Sequence, residues 1–422
     1  MVAGAPCAQV DADEAPVRHD SRPQSPVFWV GPVEGRPRKG PTGRGTSEDS
    51  GDTAMLDRPR FIGSDIYRRS RYGGKHPLAI PRVSAAIDLS RALGWLPDEA
   101  YIDSPVATPD QLARFHDRDY IAAVMAAEAA QAVDIATRER YGLGINANPV
   151  FGEIFRRPAT ACGATLHAIR LLADGGVVHS PAGGTHHGRP ARASGFCYFN
   201  DPALGILAAL DAGLERIVYV DIDAHHGDGV EDAFADEPRV TTISVHEAGR
   251  WPKTGAASDP ARGIHNYPVP PEFNDSEFAL ILEEGILPAV AATAPALIIL
   301  QSGADALAED PLSRLALSNR SHRRTAAALR GLAPRLLVLG GGGYNPWSVA
   351  RCWAGVWAAL NDFEVPERLP APAEAVLRGL EWSRSAGRNP PEHWFTTLVD
   401  APRPGPVRDE VRDLLRAPAR AA

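Results

Sequence analysis

Residues 217–229 read Ile-Val-Tyr-Val-Asp-Ile-Asp-Ala-His-His-Gly-Asp-Gly. The run Ile217–Asp223 is short, apolar and rich in β-branched residues, as a strand buried on both faces requires. It then breaks into five ionisable side chains. Four more apolar runs have the same character: Gly175–His179, Val240–His246, Leu297–Gln301 and Leu336–Leu339. Helix-like stretches lie between them, such as Pro202–Ala212 and Ser276–Val290. The latter opens on an Asn274 cap with Glu277 three residues later. Alternating strands and helices predict an α/β fold, a central mostly parallel sheet sandwiched by helices. Its chemistry should collect beyond the carboxyl ends of the strands.

The polar residues obey that expectation. Gly183-Gly-Thr-His186-His187 follows the first run, Asp221-Ile-Asp223-Ala-His225-His226 ends the second and Ser244-Val-His246 the third. Gly303-Ala-Asp305 follows the fourth and Gly340-Gly-Gly-Gly343-Tyr344 the fifth. Side chains two apart on extended chain point the same way, so Asp223 and His225 can grip one ion, with Asp305 from another strand end. Three N/O ligands with open positions are the pattern of a catalytic zinc site; iron or another transition ion would also suit them. Single Asp or His residues at strand ends are often loop caps. So many ionisable groups in nine residues are costly to bury without a task.

Asp221 is expected to partner His186, and Asp228 to partner His187. A carboxylate on one ring nitrogen fixes the tautomer and raises the basicity of the other. Two such histidines beside a metal suit metal-assisted hydrolysis. Tyr344 could donate its hydroxyl to the oxyanion of a tetrahedral intermediate. The four preceding glycines imply close backbone approach, and the helix-opening Lys-Ser/Thr of a phosphate loop is missing. Gly195, Phe196, Trp251 and Gly342 are candidates for the walls of a narrow channel. Core packing competes for the two aromatics. Cys197 reads as buried and inert.

The composition narrows the class. Of 422 residues, 44% are hydrophobic and 23% charged, which are globular values. A net charge of -8 without a basic stripe argues against a nucleic-acid partner. The four cysteines form no CxxC, which suggests a reducing cytoplasm. No apolar run is long enough to span a membrane, and no signal peptide is visible. Residues 1–56 have a disordered composition, and Met55 offers an alternative start. Residues 57–400 read as one domain and 401–422 as a loose tail. Trp382, Trp394 and Phe395 argue for packing of the segment before 400.

GGTHHGRPARASGFCYFND, YVDIDAHHGDGVEDAF, ISVHE, LQSGADAL and LGGGGY, in this order, resemble the successive signatures of the zinc-dependent histone deacetylase superfamily. DPLSRL and GGGGYNPWSVARCWAGVWAAL look most like its bacterial acetoin-utilisation branch. The likeness runs from about Phe61 to about Leu360. It implies an arginase/deacetylase-like fold and hydrolysis of N-acetyl-lysine in proteins, releasing acetate through a zinc-activated water. It assigns Asp223, His225 and Asp305 to Zn2+ (or Fe2+), His187 to general acid–base work beside His186, and Tyr344 to the oxyanion. It assigns a potassium ion to Asp221, Asp223, His225, Ser244 and Val245, and Arg82 to an acetate exit cavity. Acetyl-CoA synthetase is the family-level substrate. The sequence departs from the family at the rim. Ala147, flanked by Asn146 and Asn148, stands where a peptide-clamping Asp is expected, and Lys253 where Gly is common. A deacetylase of acetylpolyamines or other small acetylated amines is the nearest alternative. An arginase-type ureohydrolase and a non-catalytic binding module are more distant ones. Oligomeric state is not legible.

Overall fold

The computed structural model describes residues 58–73 and 76–416. The expectations for residues 1–56, and for the last six residues of the tail, lie outside them.

Among the described residues, eight strands form one sheet: β1 Arg60–Gly63, β2 Tyr101–Asp103, β3 Gly176–Ser180, β4 Ile217–Asp221, β5 Val240–Glu247, β6 Ile264–Val269, β7 Leu297–Gln301 and β8 Arg335–Leu339. Their order is β2-β1-β3-β8-β7-β4-β5-β6, and every pairing is parallel. The continuous apolar runs have a direct cause. On β4, Val218 and Val220 pack into one core, while Ile217 and Tyr219 pack into the other. Leu297 and Ile299 of β7 likewise face opposite to Ile298 and Leu300. Both faces are covered, so alternation disappears from the sequence.

One face is covered by helices that include α1 Val83–Ala92 and α4 Pro346–Leu360; the other by ones that include α2 Arg156–Leu171 and α3 Asp201–Asp211. Along α4, Trp347, Trp353 and Trp357 are fully enclosed, and each indole N–H finds a backbone carbonyl, on Leu377, Ser302 and Trp95. Burying such rings without those bonds would leave polar N–H groups stranded. Asn200 caps α3 by accepting from the Ala203 N–H.

The Asn274–Glu277 capping box forms as expected. The helix after it is not uniform: Asp275–Ile281 is α, Leu282–Ile286 is π, and Leu287–Thr293 is α again. Pro288 lacks the N–H that a regular ladder needs there, and Gly285 lets the segment press on the Tyr267 hydroxyl.

The tail is not loose as far as Arg416. The Arg408 guanidinium grips the buried Glu277 carboxylate, and Val411 is fully enclosed on the helix Asp409–Arg416. Its charged face hid a short apolar stripe. Strands β1, β2 and β6 also escaped the sequence reading. The first two have only four and three residues, and β6 contains His265, Asn266 and Pro268. Among the described residues, no helix is long and apolar enough to cross a membrane.

Candidate active site

The ends of β3, β4, β7 and β8 meet at one place. Beyond β4, the chain is steered by its own carboxylates. Asp221 Oδ1 accepts from the Asp223 N–H, and Asp223 Oδ1 accepts from the His225 N–H, both at 3.0 Å. Asp305 is fastened to the same turn through the Ala224 N–H at 3.0 Å. The result brings His225 Nδ1 to 2.9 Å from Asp305 Oδ2 and 3.3 Å from Asp223 Oδ1. One ligand atom from each of the three lies within 4.8 Å of the others.

No Lys or Arg of the described residues pairs with Asp223 or Asp305. Burial alone would raise the Asp223 carboxyl, yet His186 and His225 hold it well below its ordinary range. Burial, and then the Asp223 charge, push Asp305 upward. Burial opposes a charge on His225, but the two carboxylates outweigh it and lift the imidazole to about 10. Two enclosed carboxylates and one imidazole thus converge with no Lys or Arg among the described residues to pair them, and hard oxygen and imidazole donors fit a divalent transition ion.

The glycines serve these carboxylates rather than a phosphate. A Cβ on Gly303 would overlap Asp223, and one on Gly342 would overlap Asp305. The Gly342 N–H donates to Asp223 Oδ2 at 2.6 Å. Two residues on, Tyr344 is buried, with its N–H on Asp310 Oδ2 at 2.6 Å. Burial, with Asp305 and Asp223 nearby, raises the Tyr344 phenol well above its usual range, so it stays a donor.

The tandem histidines come from the loop after β3. The buried Asp201 carboxylate folds that loop by accepting the N–H groups of Gly184 and Thr185 and the Thr185 hydroxyl. His186 Nδ1 donates to Asp221 Oδ2, and His187 Nδ1 donates to Asp228 Oδ1, each at 2.7 Å. Both pairings match the sequence reading, but their effects diverge. Burial opposes charge on His186, and Asp221 and Asp223 overcome it to reach about 9. His187 falls to about 3, because burial and the neighbouring His186 outweigh Asp228. The expected rise in basicity therefore holds for one histidine only.

Gly195 and Phe196 face Trp251 across the entrance. A Cβ on Gly195 would strike the Trp251 ring. The Trp251 ring lies edge-on to His187 at 4.6 Å and to His225 at 6.4 Å, and Phe196 lies edge-on to Tyr344 at 5.7 Å. Trp251 is 39% exposed, so it is a wall and not core. Cys197 is buried, and burial raises its thiol far above the reactive range. Arg82 is half-buried and donates to the Gly341 carbonyl. With Tyr72, Arg157 and Gly183 it borders a cavity of about 70 Å³. Ser244 pairs in register with Asp221, but its hydroxyl is bonded to His246 Nδ1 at 2.9 Å. Val245 is buried beside it.

At the rim, Asn146 is exposed, but Asn148 is not available to a ligand. Its side chain donates to the Gly142 carbonyl and accepts the Phe196 N–H. Lys253 has φ 66°, a left-handed backbone that costs a residue with a Cβ roughly 1–3 kcal/mol and suits glycine.

Several contributing residues escaped the sequence reading. Arg189 donates to Asp228 Oδ2 behind His187, and Asp310 anchors Tyr344. His76 and His226 lie in stretches the sequence singled out, but their partners were not legible there: His76 reaches the Ala147 carbonyl at 3.2 Å, and His226 holds Thr254 at 2.8 Å and Glu231 at 3.0 Å. Tyr219, two before Asp221 on the same strand face, donates to Asp221 Oδ2 at 2.8 Å. Only Tyr219 carried a signal, its spacing of two. The others are long-range partners.

Comparison with known proteins agrees with this geometry. The family described as histone deacetylase domain matches residues 76–360. The acetoin utilization protein AcuC of Bacillus subtilis is 31% identical over 84% of this chain and 93% of its own length. Histone deacetylase 2 of rice is 35% identical over 71% of this chain, but over only 60% of its own length. The crystal structure of a histone deacetylase homolog from Aquifex aeolicus is 36% identical and superimposes with a TM-score of 0.81, covering 85% of this chain and 99% of its own. Identity is higher to the plant protein, whereas the Bacillus match is longer, so the acetoin-utilisation branch is not singled out. With these matches spanning most of the chain and the ligand set in place, the chain belongs to the histone deacetylase family.

Proposed function

We propose that the protein is a metal-dependent amidohydrolase that removes acetyl groups from N-acetyl-lysine side chains of proteins and releases acetate. The observation that carries this reading is the convergence of Asp223, His225 and Asp305 with two carboxylate-backed histidines at the foot of an aromatic entrance. Zinc is the ion we assign to the triad, with ferrous iron as its substitute. When bound, such an ion supplies Lewis acidity to a water and to the acyl carbonyl.

The chain's own groups do the rest. Trp251 and Phe196 hold the lysine stem between aromatic walls and exclude bulk water. Tyr344 donates its hydroxyl to the carbonyl oxygen as negative charge develops there. His187, its Nδ1 tied to Asp228, presents Nε2 to take the proton of the attacking water and return it to the leaving amine. His186 stays oriented and charged by Asp221, giving a fixed positive field beside the reacting carbonyl. Arg82 borders the route by which acetate leaves. A potassium ion held by Asp221, Asp223, His225, Ser244 and Val245 is proposed on the family resemblance, as are the acetoin-utilisation branch and acetyl-CoA synthetase as a substrate; cytoplasmic residence is proposed on the cysteine usage.

The test is acetate release from an acetyl-lysine peptide and from an N-acetylpolyamine, by enzyme reconstituted with zinc. We expect the peptide to be hydrolysed with the higher kcat/KM. Turnover of the polyamine alone would replace this reading with a small-amine deacetylase. No turnover of either by fully loaded enzyme would overturn both.

A further inference from the structure

The mouth of the site has a charge that the chemistry below does not require. Among the described residues, the segments round the entrance include His76 and four longer stretches, 145–149, 194–197, 251–255 and 312–314. Asn148 accepts the Phe196 N–H, Trp251 covers His187, and Leu312 packs in the cluster that holds Tyr344. None of the four contains an Asp or Glu. Glu309 and Asp310, just before the last of these stretches, are otherwise occupied. Asp310 is buried on the N–H groups of Tyr344 and Leu312, and Glu309 pairs with Arg403.

Cations, by contrast, gather there. The Glu247 carboxylate holds the Arg250 guanidinium and accepts the Arg314 N–H at 2.8 Å, and the Lys253 N–H donates to the Arg250 carbonyl at 2.7 Å. One loop cluster thus carries three cations, Arg250, Lys253 and Arg314, and two carboxylates, Glu247 and Glu272, the latter with its N–H on the Arg314 carbonyl at 2.7 Å. Glu247 neutralises Arg250. Lys253 and Arg314 are exposed and have no ion-pair partner among the described residues. Lys253 also keeps a left-handed backbone, φ 66°, next to the channel wall Trp251. A strained residue at a site entrance points to use of its side chain.

We infer that this rim selects acylated lysines lying beside acidic residues in the substrate chain. The inference rests on the deacetylase reading and names the substrate class of the same site. A cationic polyamine or a lysine-rich segment would be repelled. An Asp or Glu flanking the modified lysine would meet Lys253 and Arg314 in place of the backbone clamp that Ala147 cannot provide.

Two fluorescent acetyl-lysine peptides test it, identical except for Asp or Lys on both sides of the modified residue. Hydrolysis is measured as kcat/KM and binding as anisotropy, with zinc-loaded enzyme. The acidic peptide is expected to lead by roughly three- to tenfold at low ionic strength. The lead should shrink toward equality near about 0.5 M salt. Lys253→Gly should lower the ratio without lowering Tm, since glycine relieves the backbone, and Lys253→Glu should reverse it. Equal rates and equal binding for the two peptides, or a ratio untouched by both variants, would overturn the inference. Preferential binding of the acidic peptide without hydrolysis of either would count against the deacetylase reading and support the rim.

Discussion

The floor of the site and its mouth are built differently. On the floor, the carboxylates Asp221, Asp223, Asp228 and Asp305 are buried, and each is held by two or more partners. Asp221 holds His186, Tyr219 and the Asp223 N–H. Asp228 is shared by His187 and Arg189. At the mouth, Trp251, Lys253 and Asn146 are exposed, and the loops are tied mainly through backbone and by His76 and His226. The difference teaches where each property resides. Reaction geometry is preorganised by a network that substrate cannot reshape, whereas substrate choice falls to a few exposed side chains that can change without disturbing it.

The severest break is on the floor. Asp223→Ala, His225→Ala or Asp305→Ala should each remove bound metal, measured by elemental analysis, and reduce kcat/KM by about a thousandfold or more, because three ligands leave no redundancy. Wild-type metal content with wild-type turnover in any one would remove that residue from the ligand set. Tyr344→Phe should retain the metal and lower kcat by roughly 10²–10³. A rise confined to KM would make Tyr344 a positioning residue instead.

Arg189 probes the layer behind the floor. Arg189→Ala leaves the Asp228 carboxylate with one partner fewer, and kcat should fall about tenfold, the lower end for groups that orient catalytic side chains. Arg189→Lys should restore part of it. An unchanged kcat in the alanine variant would show that His187 is sufficiently oriented by Asp228 alone.

The scaffold itself has a pH signature. His116 is buried; its Nδ1–H faces the Arg189 carbonyl, and its Nε2 accepts the Asn200 N–H. Burial lowers its pKa to about 4 from 6.5. The folded state resists protonation that the unfolded state accepts, so stability is complete above 6.5 and is lost as pH falls toward 4. The slope for one proton is at most ~1.4 kcal/mol per pH unit. Urea unfolding across that range should show a shallower acid limb in His116→Gln than in wild type. Identical limbs would assign the loss to other groups.

The smallest effect is expected at the mouth. Ala147→Asp should improve kcat/KM for an acetylated peptide by up to about tenfold while leaving a free acetyl-lysine derivative unaffected, since an added carboxylate can accept backbone N–H groups. Equal gains on both substrates would mean that the change acts inside the channel. Asn148 offers no substitute for that clamp, because its amide is spent on the Gly142 carbonyl and the Phe196 N–H.

Five of the sheet's eight strands, β3, β4, β5, β7 and β8, and the identity of its reactive side chains could be read from the sequence. A strand enclosed on both faces leaves a continuous apolar run, and its abrupt end in Asp, His or Gly marks the catalytic edge. Tertiary structure alone decided how those groups differ. His186 and His187 are adjacent, and each faces an aspartate, yet one is lifted to about 9 and the other lowered to about 3. That split depends on Asp223 lying near His186 and on which imidazole is already charged. Arg189 behind Asp228, Asp310 beneath Tyr344 and the fastening of Arg408 to Glu277 were equally invisible. Such contacts join residues far apart in the chain or on loops without periodicity. Local pattern encodes burial and spacing; it does not encode which charges the fold will bring within a few ångströms of one another.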